Sequence, residues 1–341
     1  MINQKLHGKT NSIFQNKKYW ENFTEDQLIN YSEQIFTHYR KQGFPYIGTD
    51  IEYRTKEFNK FITFNTDHLI VDKTIKSTMH GLSLAWSYMP HHFEVKCNNM
   101  KTAMDVFTDD TLFKKVILKR LKIGTYLTDS GMRKILKTFS GVQSVSNFRP
   151  TAASALYDRY LNKPGDVLDL SSGFGGRLLG ALKSNKVISY TGIEPSTKTF
   201  KGLSELYRDF GANKKVHLHL CGSEEFKEKD KYDLCFTSPP YFDKEKYSNE
   251  DTQSFIKFPT KEEWYEGFLK ATIDNCFRSM RKNGVFIFNI KNTKDLPDFV
   301  ERTKEYATQV GFEFKDTLWL ELASQTFMKG TNKEEVLIFY K

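Results

Sequence analysis

Asp166-Val167-Leu168-Asp169-Leu170-Ser171-Ser172-Gly173-Phe174-Gly175-Gly176-Arg177 runs from a short apolar segment through closely spaced glycines into an amphipathic stretch. Asp166 to Leu170 reads as a buried strand and Gly176 to Lys183 as the helix that follows it. Glycines let the backbone take positive φ and approach a ligand closely, while the first amides of a helix point into the site. Strand, turn and helix of this kind open a doubly wound α/β sheet, where ligands lie beyond the carboxyl ends of the strands. Dinucleotide-binding folds share such a turn, so the positions around it must separate the alternatives.

The alternation continues in both directions. Thr151 to Tyr160 precedes the turn as a helix. After it come strands at Val187 to Glu194, Val216 to Leu220, Tyr232 to Phe236 and Val285 to Ile290. Helices are expected over Ser196 to Phe210, from about Lys261 to Arg281, and from Asp298 to Val310. Phe312 to Leu320 and Val336 to Tyr340 are strand-like. No helix separates them, only a short stretch containing Lys329-Gly330-Thr331-Asn332, so they should pair antiparallel. The expected fold class is α/β: a seven-stranded, doubly wound, mostly parallel sheet ending in a hairpin.

Three further strand ends carry chemistry. The second strand ends in Gly192-Ile193-Glu194-Pro195, where a carboxylate can accept both ribose hydroxyls of a bound nucleoside. The third ends in Cys221-Gly222-Ser223-Glu224. The fourth runs into Thr237-Ser238-Pro239-Pro240-Tyr241-Phe242. Paired prolines make a poor strand but a rigid rim. A hydroxyl, free carbonyls and aromatic faces on that rim suit a flat ring carrying an amine. The plain alternative is a Pro-Pro turn that merely closes a strand.

Ser238-Pro239-Pro240-Tyr241 resembles the catalytic motif of the S-adenosylmethionine-dependent amino-methyltransferases of DNA, which methylate adenine N6 or cytosine N4. The glycine turn, the second-strand acid and this ledge stand in the order of that family's motifs, and the sheet looks like its fold. The resemblance covers residues from about Asn147 to the end. It implies that Asp169, Gly173 and Gly175 hold the methionine portion of S-adenosylmethionine, and that Glu194 holds the ribose. Ser223 stands where the family often has an Asp on the adenine amine, with Glu224 as its substitute. Asn147-Phe148-Arg149-Pro150 resembles the outlying cofactor motif, which implies Phe148 and Pro150 against the methionine end.

The same resemblance implies a mechanism. Ser238 and the Pro239 carbonyl accept the hydrogens of the target amine, and Tyr241 stacks on the ring, with Phe242 as a second wall. The target base must be flipped out of a duplex or supplied single-stranded. Ser238 leans toward cytosine in the family, whereas a cofactor motif placed before the catalytic motif is common among adenine enzymes, so the base stays open. Neither a metal nor a general base is required. The long polar loop between Phe242 and Pro259 reads equally as a lid over the flipped base, with Tyr247 as a contact, or as a merely mobile surface loop. Asn289, Lys291 and Asn292 follow the next strand toward the same cleft.

The chain has 341 residues and a net charge of +9, unevenly placed. Residues 1–146 carry 21 Lys/Arg against 14 Asp/Glu, and the remainder 30 against 28. A basic first portion of this kind is expected to face a polyanion, here DNA. Residues 1–20 read as a loosely ordered basic arm. Glu25 to Gln42 reads as a helix capped by Thr24 and ended by Gly43. Phe58 to Phe64 fits either a strand or an amphipathic helix. Leu112 to Lys122 and Met132 to Phe139 are basic helical stretches, and residues 77–100 mix aromatics with amides and imidazoles. The expected organisation is therefore a mainly helical or mixed DNA-engaging domain over 1–146 and a catalytic domain over 147–341.

Cys97, Cys221, Cys235 and Cys276 are scattered, and His68, His80, His91 and His92 lack metal-ligand spacing, so no metal is expected. No apolar run has the length of a membrane span, and the polar start lacks a signal core. These features point to a cytoplasmic protein without a membrane partner. An RNA or protein-amide methyltransferase would keep the chemistry, although the glutamine enzymes usually carry Asn where Ser238 stands. A non-catalytic nucleic-acid-binding subunit would keep only the fold.

Overall fold

The structure, a computed structural model, describes residues 13–322 and 333–341. Its sheet contains β1 (Ile70–Val71), β2 (Thr74–Ile75), β3 (Gly165–Asp169), β4 (Val187–Ile193), β5 (Lys215–His219), β6 (Tyr232–Thr237), β7 (Met280–Ile290), β8 (Glu313–Glu321) and β9 (Lys333–Tyr340). Their spatial order is β1-β2-β8-β9-β7-β6-β3-β4-β5. Strands β5, β4, β3, β6 and β7 run parallel, and β9 lies antiparallel between β7 and β8. The expected doubly wound sheet with its terminal hairpin is present, and the Lys329 to Asn332 stretch lies outside the described residues.

The sheet has nine strands rather than seven. The extra pair comes from residues 70–75, where Thr74 aligns in parallel with Trp319 of β8 and the Trp319 amide donates to the Lys73 carbonyl at 2.7 Å. Two-residue strands leave no periodicity to read. The helix expected through Arg281 ends at Ser279, and its middle, Trp264–Lys270, is wound wider as a π-helix. That winding brings Trp264, Tyr265, Phe268 and Leu269 to one buried face.

Two compact units divide the chain: residues 1–47 with 92–145, and residues 48–91 with 146–341. The last crossing falls between Val145 and Ser146, one residue before the expected boundary at 146/147, and residues 48–91 pack with the larger unit. There Phe58 stacks on Phe210 at 4.3 Å, the Tyr88 hydroxyl donates to Asp209 at 2.7 Å, and Lys183 Nζ donates to the Ile62 carbonyl at 2.7 Å. Phe58 belongs to a helix, Ile51–Ile62, which decides the ambiguity at that stretch. Residues 48–91 carry equal numbers of acidic and basic side chains, so the smaller unit keeps the surplus of residues 1–146, 16 Lys/Arg against 9 Asp/Glu.

The smaller unit is helical and builds its own core from Ile35, Tyr39, Phe113, Ile117 and Leu136 among others. Its helix Glu25–Gln42 carries a Thr24/Gln27 capping box and ends at Gly43, whose φ is +89°. Residues 1–12 of the expected arm lie outside the described residues, but Lys17–Trp20 is a helical turn. Trp20 is buried there and donates Nε1 to the Leu121 carbonyl at 2.9 Å. Among the described residues no helix is long and apolar enough to cross a membrane.

Candidate active site

Strands β3 and β6 are parallel neighbours, with Val167 opposite Leu234 and Leu168 opposite Cys235. Leu170 to Gly173 and Ser238 to Tyr241 therefore leave the sheet side by side at one carboxyl edge. A single cleft opens there. Ser238, Pro239, Pro240 and Tyr241 line it together with Phe148, Gly173 and Glu194. Ser223 and Glu224 line it as well. Pro150, Asp169 and Gly175 do not reach its surface: Pro150 is buried as the first residue of the helix Pro150–Tyr160, and Gly175 forms the N-cap of Gly176–Lys183.

The turn needs its glycines. Gly173 and Gly175 have φ of +54° and +80°, in the region L side chains avoid. At Gly176 a Cβ would run into the Phe148 carbonyl, so the outlying segment lies directly on the turn. Asn147 Nδ2 donates to the Phe174 carbonyl at 2.9 Å, fastening the same contact. Phe174 itself is backed by Trp86 and His91, at 5.1 and 5.8 Å between ring centroids. Burial pushes the His91 imidazole down to about 4, so it is neutral at neutral pH, with Nε2 3.0 Å from Thr199 Oγ1. Trp86 and His91 thus back the ring of Phe174 in the turn.

Asp169 is wholly enclosed. Its Oδ2 accepts from Arg177 Nε at 2.8 Å and from the Tyr190 hydroxyl at 2.7 Å, and its Oδ1 from the Ser171 amide at 3.2 Å. Arg177 also donates to the Ser171 carbonyl and lies over the rings of Phe148 and Phe236, at 6.0 and 5.7 Å. It is Arg177, not Asp169, that lines the cleft. Sequence reading passed over this arginine, although a cation one residue into the helix after a strand-end acid was a usable signal.

Glu194 reaches back across the turn. Its Oε2 accepts from the Gly173 amide at 3.0 Å and its Oε1 from the Ser196 amide at 2.9 Å. Burial pushes its carboxyl up to about 7 against the pull of those amides. Each oxygen keeps a lone pair for a ligand hydroxyl. The Ser223 hydroxyl is 2.7 Å from Thr272 Oγ1, in a buried pair. Glu224 Oε1 accepts from Lys257 Nζ at 2.8 Å, and its Oε2 is buried with no hydrogen-bond partner among the described residues. Gln253 Nε2, in the wall of the same cleft, is also buried and unpartnered. An orphan acceptor and an orphan donor beside a diol-ready carboxylate fit an adenosine moiety, which presents hydroxyls, an amine and ring acceptors.

The polar loop after the ledge is tied to the opposite wall. Thr252 Oγ1 donates to the Pro195 carbonyl at 2.9 Å, and the Glu250 carboxylate accepts from the Thr197 amide at 3.1 and 3.2 Å. Tyr247 lines the cleft 5.8 Å from the Phe174 ring. Phe242 takes a φ of +54° and turns into the core beside Trp264, away from the cleft, so it forms no second wall. Asn289 lines the cleft and donates to the Glu335 carbonyl at 3.0 Å. Lys291 pairs with Glu334 at 2.9 Å, whereas Asn292 accepts from the Val300 amide at 2.8 Å and serves a helix start instead.

No family model and no curated protein matches this chain. Among solved structures, a SAM-dependent methyltransferase from Methanosarcina mazei overlaps 55% of this chain and 96% of its own, at 14% identity and a TM-score of 0.38. Magnesium protoporphyrin IX methyltransferase from Synechocystis, with bound SAM, overlaps 56% of this chain and 77% of its own, at 14% identity and 0.40. For the 1,6-didemethyltoxoflavin-N1-methyltransferase of Burkholderia thailandensis the values are 55%, 76%, 14% and 0.38. The α/β assignment rests on the strand order itself rather than on these overlaps.

Proposed function

We propose that this chain is an S-adenosylmethionine-dependent methyltransferase acting on the exocyclic amine of adenine or cytosine in DNA. The observation that carries the reading is the adjacency of β3 and β6, by which the Ser-Pro-Pro-Tyr ledge and the glycine turn line one cleft. Glu194 would take the ribose hydroxyls, Glu224 and Gln253 the adenine edge, and Arg177 the carboxylate end. When bound there, S-adenosylmethionine supplies an electrophilic methyl group.

The amines of adenine and cytosine are poor nucleophiles because the nitrogen lone pair is delocalised into the ring. Ser238 Oγ and the Pro239 carbonyl accept the two amine hydrogens, which favours a tetrahedral nitrogen and frees its lone pair. The same oxygens disperse the positive charge that develops on nitrogen. Paired prolines hold these acceptors rigid, so alignment costs little during the reaction. The nitrogen ends with a methyl in place of one hydrogen, which leaves as a proton to solvent. An amine inside a duplex cannot reach the ledge, so the base is flipped into the cleft. DNA as the polymer is supported by the surplus of basic residues in the smaller unit.

Incubation with methyl-tritiated S-adenosylmethionine and DNA, RNA or protein, followed by nucleoside analysis, tests the proposal. Labelled N6-methyladenine or N4-methylcytosine from DNA is the expected result and identifies the base. Label confined to RNA or to glutamine moves the substrate class. Failure to bind the cofactor leaves only a non-catalytic role.

A further inference from the structure

Resting on that reading, we propose that Arg149 holds the backbone phosphate of the flipped nucleotide, so that the cleft grips the extruded nucleotide by its phosphate as well as by its base. The strand order gives the cleft two ends. Gly173, Glu194 and Ser223 follow β3, β4 and β5, on one side of the ledge. Asn289, Leu320 and Glu334 belong to β7, β8 and β9, on the other. An adenosine moiety at the first end leaves the second to the base.

Residues 147–149 reach from one end to the other. Asn147 is fastened to the glycine turn through the Phe174 carbonyl. Two residues on, Arg149 Nε donates to Ser77 Oγ at 3.3 Å, just past β2, the strand that pairs with β8. Thr78 Oγ1 lies 2.8 Å from Thr151 Oγ1 and fixes the same junction. Arg149 therefore stands at the base end of the cleft.

The charges single it out. Among the described residues the cleft is lined by two cations, Arg149 and Arg177, and by four carboxylates, Glu194, Glu224, Glu245 and Glu334. Arg177 is paired with Asp169, and Glu334 with Lys291 at 2.9 Å. Arg149 is held by a neutral hydroxyl instead, with no carboxylate at ion-pair distance among the described residues. Burial lowers its pKa, and the more distant Glu334 only partly opposes that. A half-buried guanidinium in this state regains in an anion what it lost in water. With Nε on Ser77, its two terminal nitrogens remain for two oxygens of one phosphate. Base and phosphate share one sugar, so extrusion carries the phosphate toward the same end, where uncompensated carboxylates would repel it.

The test places a single uncharged methylphosphonate on the 5′ or the 3′ side of the target nucleotide in the methylated duplex, or several nucleotides away as a control. The wild-type chain should lose about 10- to 100-fold in kcat/KM on one flanking substitution and almost nothing on the distant one. Arg149→Met should show a similar loss on the natural duplex and no further loss on the flanking methylphosphonate. Arg149→Lys, which keeps the charge and loses the fork, should fall between the two. The Kd for S-adenosylmethionine should stay within about twofold in both variants, which also reports that they fold.

Wild-type indifference to both flanking methylphosphonates overturns the assignment, and this arm needs no variant. So does a flanking loss that persists in full in Arg149→Met. A large rise in cofactor Kd in Arg149→Met that is absent for decarboxylated S-adenosylmethionine also overturns it, by moving the guanidinium to the cofactor carboxylate. None of these touches the methyltransferase reading, which stands as long as the wild-type chain methylates the natural duplex. A chain that methylates no DNA overturns both.

Discussion

Arg177 Nε lies 2.8 Å from Asp169 Oδ2, with the carboxylate wholly enclosed and the guanidinium only 5% exposed. The strand-end acid therefore acts on the cleft through its partner. Asp169→Ala leaves a buried cation unpaired and should cost about 3–5 kcal/mol, because desolvation of the guanidinium is no longer offset. Removing both charges with Asp169→Leu and Arg177→Met should cost less than the single change. Urea unfolding of the two variants and the wild-type chain measures this, and equal stabilities of the single and double variants would contradict it.

With Glu194 on the ribose, as proposed, cofactor binding should depend on pH. Burial pushes the Glu194 carboxyl up to about 7, and only the anion can accept both ribose hydroxyls. The Kd for S-adenosylmethionine should rise roughly tenfold from pH 8 to pH 6, read by calorimetry. A flat profile would remove Glu194 from the ribose. In the free protein the raised value acts on stability in the other direction. Between its ordinary 4.5 and about 7 the folded state holds more protons than the unfolded. That contribution is fully present below 4.5 and is lost as pH rises through 7.

Ser238→Ala and Pro240→Ala should each lower kcat by about 100-fold or more, since they remove or loosen acceptors aligned for the transition state. Cofactor Kd should stay within about twofold, because neither group belongs to the adenosine half. A loss confined to cofactor affinity would place the ledge on the wrong ligand.

The two basic helices of the smaller unit use much of their charge internally. Lys114 pairs with Glu33, Lys119 and Lys137 lie over Phe139 and Phe93, and Arg120 and Arg133 donate to the carbonyls of Tyr126 and Pro45. Lys115, Lys122 and Lys134 are exposed. Replacing these three by alanine should reduce the slope of log K against log[salt] for duplex DNA by about 0.9 per lost phosphate contact. An unchanged slope in filter binding would put the phosphate contacts elsewhere.

Much of this protein was legible in one dimension. Helix Glu25–Gln42 could be bounded by Thr24 and Gly43, and β3, β4 and β6 by apolar runs that stop at glycine, Glu-Pro and Ser-Pro-Pro, because caps, turns and buried strands depend on neighbouring residues. The order of those strand ends was enough to expect one cleft. Tertiary structure alone decided the remainder. It joined residues 70–75 to the sheet, moved residues 48–91 into the larger unit, turned Phe242 inward, and placed Arg177 rather than Asp169 at the cleft surface. Each of these depends on which distant side chain is available to fill a space or pair a charge. Local propensity carries no information about that, so the identities of the acid and aromatic residues were readable but their directions were not.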